Sequence, residues 1–131
     1  MDEVKKQSVV VEKGPKAIGP YSLGVAAGAF VFTSGQLGLD PVSGAMVAGG
    51  VEAETRQALI NLKTILESAH SNLDSVVKTT VFLKDMADFA KMNAVYAEFF
   101  SNNYPARSAI QVAALPKNAQ VEIEAIAILH E

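Results

Sequence analysis

Residues 76–112 read VVKTTVFLKDMADFAKMNAVYAEFFSNNYPARSAIQV, and a change of period within them decides the fold. Val77, Thr79, Val81 and Leu83 alternate, which predicts a strand with one buried face. Asp85 can then cap a helix whose inner stripe is Phe89, Met92, Tyr96 and Phe99 or Phe100, and Asn102, Asn103 and Pro105 stop it. A second strand is predicted from about Arg107 to Ala113. A strand, a helix and a strand in this order form a crossover between parallel strands.

Working upstream, Leu59, Leu62, Ile65, Leu66 and Ala69 recur at helical spacing from Val51 onward, with Glu52 and Glu54 in a first turn where the helix dipole favours anions. Before that helix, Asp40-Pro41-Val42-Ser43-Gly44 is a turn, because Pro presets one central dihedral and Gly accepts positive φ at the exit. Phe30, Phe32 and Ser34 share one strand face, with Val31, Thr33 and Gly35 on the other. The apolar stretch 23–28 precedes them, and Ser8–Glu12 is a short β-branched strand followed by a Gly/Pro loop ending on Tyr21. Downstream, Leu115-Pro116-Lys117-Asn118 breaks the chain before a last strand, Val121–Leu129. The order is three strands, helix, strand, helix, two strands. It predicts an α+β fold, a mixed six-stranded sheet with both helices on one face, in a single domain spanning residues 1–131.

The composition narrows the function. With 50% hydrophobic and 19% charged residues the chain should fold, and a net charge of −3 without a basic run argues against capture of nucleic acid or an anionic membrane. The absence of cysteine excludes thiolate chemistry and disulfides. Neither a secretory signal nor a membrane span is expected, which points to a cytoplasmic protein. Nucleotide-loop, dinucleotide, zinc-protease and nucleophile-elbow motifs do not occur. His70 and His130 read as solvated surface.

Two charged residues remain. Arg107 shares a strand face with Ala109 and Gln111; it is either exposed surface or a planar fork for a carboxylate. Glu122 and Glu124 share a face with Ile126 and Ile128, and a carboxylate there is either rim surface or a base beside a pocket. Tyr21, after its Gly/Pro loop, either packs its ring and leaves its hydroxyl in water or belongs to a site. A plain hairpin centred on Lys117 sets Val112 opposite Glu122 and leaves Arg107 roughly 17 Å along the strand. If both serve one site, the two strands are not simple hairpin partners or a second subunit completes the site.

Five ordered blocks, Gly19-Pro20-Tyr21-Ser22, Thr33-Ser34-Gly35-Gln36, the 76–93 run, Tyr104–Ser108 and Leu115–Ala127, together resemble the Rid (RidA/YjgF) family of reactive-intermediate deaminases, from about Ile18 to Leu129. The resemblance implies a chorismate-mutase-like fold, a homotrimer with clefts between subunits, and metal-free, cofactor-free hydrolysis of 2-iminobutanoate and 2-iminopropanoate to 2-oxo acids and ammonia. Such imines are shed by pyridoxal-phosphate dehydratases acting on serine and threonine. It further implies that Arg107 grips the substrate carboxylate, that Glu122 positions the attacking water, and that Tyr21, Ser34, Gly35 and Asn93 line the cleft. Where some relatives carry cysteine this chain has Ala109, which leaves only a backbone carbonyl to hold water. Where relatives carry glutamine after the first block it has Leu23. Two other readings stay open: an RNA-cleaving or translation-inhibiting protein, an activity also associated with the family, and a non-catalytic carboxylate-binding or chaperone-like trimer.

Overall fold

Leu59, Leu62, Ile65 and Leu66 are all fully buried on the inner side of helix α1, Gly50–Ser68, in the computed structural model, which describes residues 3–130. The chain folds as strands β1 (Lys6–Ser8), β2 (Gly24–Ala27) and β3 (Phe30–Thr33), then α1, β4 (Val76–Leu83), α2 (Phe89–Phe99), β5 (Ala106–Gln111) and β6 (Val121–Ile128). One six-stranded sheet has the order β1-β2-β3-β6-β4-β5, with β4 and β5 parallel and every other pair antiparallel. Because β3 and β4 each run antiparallel to β6, they are parallel to one another. Both expected crossovers therefore exist, and β6 is slotted into the first.

The core lies between the helices and one sheet face. Val31, Val81, Leu83, Val121, Ile123 and Ala127 bury that face against Leu59, Leu62, Leu66 and Met92. Asp85 caps a short 3-10 turn, Met86–Asp88, that leads into α2; its Oδ1 accepts from the Ala87 N–H at 2.9 Å. The Asp40 turn forms as its sequence dictates. Asp40 Oδ1 accepts from the Val42 and Ser43 N–H groups at 2.8 and 2.9 Å, and Gly44 closes it at φ 75°.

Three expectations are corrected. The first strand is Lys6–Ser8, not Ser8–Glu12, because its partner β2 is only four residues long. The Val9 N–H ends the ladder on the Gly24 carbonyl at 2.9 Å, leaving Val10–Glu12 nothing to pair with. Val77 is exposed, because the register against β6 shifts between Val76 and Lys78 and Val76 takes the core position. Glu54 does not belong to the first turn, where Glu52 is the acidic residue: it is buried, and its Oε1 accepts from the Gln120 N–H at 2.8 Å.

Two features of the sheet bear on function. Phe32 pairs with Ile126 but Gln36 with Ile123, so Thr33–Gly35 hold one residue more than the two they face, a bulge that turns β3 aside. Thr33 Oγ1 accepts the Ala125 N–H there at 3.0 Å. The second feature is the sheet face away from the helices, where Phe30, Phe32, Ile110 and Ile128 remain 40%, 43%, 46% and 42% exposed. The pairs Phe30–Ile128 and Phe32–Ile126 join three of these side chains into one apolar patch, while Ile110 stands beside Phe82 across the sheet, and no other layer of the described residues covers this face.

Candidate active site

Glu122 stands near the start of β6, opposite Phe82 of β4, and alternation sets it on the open face while its neighbours Val121 and Ile123 enter the core. The bulge of β3 lies beside it. At Gly35 a Cβ would fall 2.8 Å from Glu122 Cδ and Oε2, so only glycine lets the backbone come this close. Ser34 Oγ donates to the Ser22 carbonyl at 2.6 Å, which ties the bulge to the end of the Gly/Pro loop. Tyr21, on that loop, is 46% exposed, with its hydroxyl 3.4 Å from the Ile18 N–H.

Tyr21, Ser34, Gly35 and Glu122 line one cavity of about 520 Å³, closed on other sides by the Asp40 turn, Asn61 and Pro116-Lys117. Burial of its carboxyl, with the like charge of Glu124 two residues along the same face, holds the Glu122 pKa above the ordinary glutamate value. A half-buried carboxylate so placed is a better proton acceptor than an exposed one.

Arg107 lies elsewhere. On β5 it pairs with Thr79, whose side chain enters the core, and it leans onto α2. Its NH1 donates to Asn93 Oδ1 at 2.7 Å, and its guanidinium carbon stands 4.7 Å from the centre of the Tyr96 ring and 5.4 Å from that of Phe89. Burial holds the Tyr96 phenol above its ordinary pKa, so the ring faces the guanidinium neutral. Tyr96 is fixed in turn by Thr79, hydroxyl to hydroxyl at 2.8 Å. The fork is thus stacked and oriented, with one edge bonded and the remainder available to an anion.

The candidate residues therefore fall into two groups. Tyr21, Ser34, Gly35 and Glu122 share the cavity; Arg107 and Asn93 share a bond on the helix side, with Ala109 on the same strand face. Strands β5 and β6 are not hairpin partners, since β4 runs between them, which removes the simple pairing. Arg107 is level with Thr79 and Glu122 with Phe82, three rows apart and on opposite faces. Within one protomer they cannot reach one small ligand.

Three participants escaped the sequence reading. Asn61 lines the cavity from α1, and a polar residue among Leu59, Leu62 and Ile65 was the available signal. Lys16 and Lys117 flank the mouth, and nothing in their spacing marks them. Leu23 is buried in the core and supplies packing at its position. His70 and His130 are both exposed, and the His130 ring meets Ser75 rather than either group. Among the described residues no cluster of His, Asp or Glu could hold a metal ion, and no helix is long and apolar enough to cross a membrane.

A family model described as Endoribonuclease L-PSP matches residues 11–129, nearly the whole chain. The YjgF gene product of E. coli superposes with a TM-score of 0.89 at 46% identity, covering 95% of this chain and 99% of that one. The chain belongs to the Rid (RidA/YjgF) family. A second structure, E. coli TdcF with bound serine, matches with a TM-score of 0.89 at 42% identity over 95% of this chain and 99% of its own. Among curated relatives, the 2-iminobutanoate/2-iminopropanoate deaminase of Homo sapiens is 48% identical over 128 residues, 98% of this chain and 93% of the relative.

Proposed function

We propose that the chain is a 2-imino acid deaminase that hydrolyses 2-iminobutanoate and 2-iminopropanoate to the 2-oxo acids and ammonia, in a homotrimer of chorismate-mutase-like protomers. The observation that carries this reading is the half-buried Glu122 carboxylate in a cavity walled by the β3 bulge, the Gly/Pro loop and the Asp40 turn, with its pKa raised. The near full-length likeness to deaminases supports the substrate class, and serine, held by TdcF, carries its carboxylate and nitrogen on adjacent carbons as a 2-imino acid does.

Arg107 clasps the carboxylate with the part of its fork that Asn93 leaves free, and its rings restrict rotation. A protonated imine is already electrophilic at C2. Glu122 removes a proton from water as the oxygen bonds to C2, and the C=N π electrons pass to nitrogen. The carbinolamine nitrogen then takes up that proton, the C–N bond breaks with its electron pair leaving as ammonia, and the hydroxyl loses its proton to give the 2-oxo acid. Orientation and one base suffice. The Ala109 carbonyl and the Tyr21 and Ser34 hydroxyls are assigned to holding the water and the imine.

Arg107 and Glu122 act together only if a second copy covers the open face. Phe30, Phe32, Ile110 and Ile128 form the surface that such a copy buries, and Glu122 stands on the same face. The mouth lysines, Lys16 and Lys117, favour an anionic ligand.

Arg107→Lys keeps the charge but loses the planar fork, so 2-oxobutanoate release in an assay coupled to threonine dehydratase is expected to fall about 10- to 100-fold. An unchanged rate would remove Arg107 from the site. The raised pKa sets the pH response. Glu122 works as a carboxylate, so kcat/KM falls with pH as it is protonated, and the fall begins above the pH at which an ordinary glutamate titrates. Glu124→Gln removes a like charge, so the limb should move to lower pH; a limb unmoved by this change points to another base.

An RNA-cleaving protein and a non-catalytic carboxylate binder are the outcomes to be told apart by assay. Ribonuclease activity lost in Glu122→Gln supports the first. Tight 2-oxobutanoate binding without accelerated imine hydrolysis supports the second.

A further inference from the structure

Helix α1 buries three polar side chains, Glu54, Thr55 and Asn61, where leucine would serve the core. Glu54 and Asn61 are 5% and 2% exposed and lie seven residues, two helical turns, apart on one face. Burying such groups is costly unless directional bonds offset it. Glu54 Oε1 accepts from the Gln120 N–H at 2.8 Å, two residues before Glu122. Asn61 Nδ2 donates to the Leu37 and Leu39 carbonyls at 3.3 and 2.9 Å, while its Oδ1 accepts from Gln57 Nε2 at 2.9 Å. With both donors and its acceptor engaged, the Asn61 amide is committed to the wall of the cavity. Gly38 sits so close to α1 that a Cβ there would fall 2.6 Å from the Glu54 Cα.

The two held segments are joined to each other. Gln36 and Ile123 exchange backbone hydrogen bonds at 2.8 and 3.0 Å, between the stretch secured by Asn61 and the one secured by Glu54. Ser34 and Gly35 lie just before this pair on one strand and Glu122 just before it on the other. We propose that Glu54 and Asn61 are positioning residues: they bracket the Gln36–Ile123 pair against α1 and so set the Glu122 carboxylate at its place against the Ser34–Gly35 bulge. Neither touches the reacting atoms. The inference rests on the reading of Glu122 as the base.

The test compares Glu54→Leu, Glu54→Gln, Asn61→Leu and Asn61→Asp in the full chain, with Glu122→Gln alongside. For each, kcat and KM for 2-iminobutanoate are measured together with the stoichiometry of 2-oxobutanoate binding by calorimetry. Glu54→Leu and Asn61→Leu should lower kcat about 10²-fold through misplacement of the base, at unchanged binding stoichiometry. KM should stay within about twofold, because the carboxylate is gripped elsewhere. Glu54→Gln, whose side-chain carbonyl can still accept the Gln120 N–H, should restore most of kcat. Asn61→Asp keeps the volume but sets a carboxylate against two carbonyls, and should lose kcat as the leucine variant does.

The inference is overturned if Glu54→Gln is as impaired as Glu54→Leu, or if activity falls only in proportion to binding stoichiometry, as from a poorly folded fraction. It is equally overturned if kcat is unchanged in both leucine variants. Wild-type turnover in Glu122→Gln is a separate result, since it removes the base itself.

Discussion

Glu122→Gln is expected to lower the enzyme-dependent turnover of 2-iminobutanoate by about 10²–10⁴-fold, the usual contribution of a positioned base. The amide matches the carboxylate in size, so it fits against Gly35, where no Cβ competes for the space. It cannot take a proton from water. Since burial already disfavours charge at this position, the neutral side chain should leave the fold at least as stable, and thermal unfolding should show no loss. Binding of 2-oxobutanoate should persist, because the carboxylate is assigned to Arg107. The rate must be read after subtracting spontaneous imine hydrolysis in buffer. Turnover within a few-fold of the parent chain would remove Glu122 from the mechanism.

Mixing two inactive variants should restore activity. If each cleft takes Glu122 from one subunit and Arg107 from its neighbour, a Glu122→Gln chain still offers an intact arginine and an Arg107→Ala chain an intact glutamate. Subunits refolded together in equal amounts would then yield about a quarter of the clefts with both groups whole, by random assortment around a cyclic oligomer. Each variant refolded alone should stay inactive. The opposite placement of the two residues makes this a sharp test, because no single-protomer site can be repaired by mixing. A mixture no more active than its components, with exchange verified by mass, would exclude a shared cleft.

Much of the fold was legible from local pattern. Leu59, Leu62, Ile65 and Leu66 announced α1 because a 3.6-residue period has one buried outcome, and Asp40-Pro41 to Gly44 announced its turn because its dihedrals are preset locally. Glu122 was flagged by its place within an alternating strand. Misses arose where a partner decided. The end of β1 depends on the length of β2, and Val77 is outward because of a register shift against β6, distant in sequence. Glu54 read as a first-turn anion favoured by the helix dipole; its burial depends on Gln120, brought to it by tertiary packing.

Local chemistry along the chain was enough to specify the elements, their order, the two crossovers and the residue types able to hold a carboxylate and activate water. Five matched blocks were enough to indicate the family. The entry of β6 between β3 and β4 is a product of the folded sheet alone, and it separates Arg107 from Glu122 by a strand and turns them to opposite faces. Strand pairing is a contest among partners far apart in the chain, and the periodicity of any one strand is the same whichever neighbour wins. That placement keeps the two candidate site residues apart within one protomer.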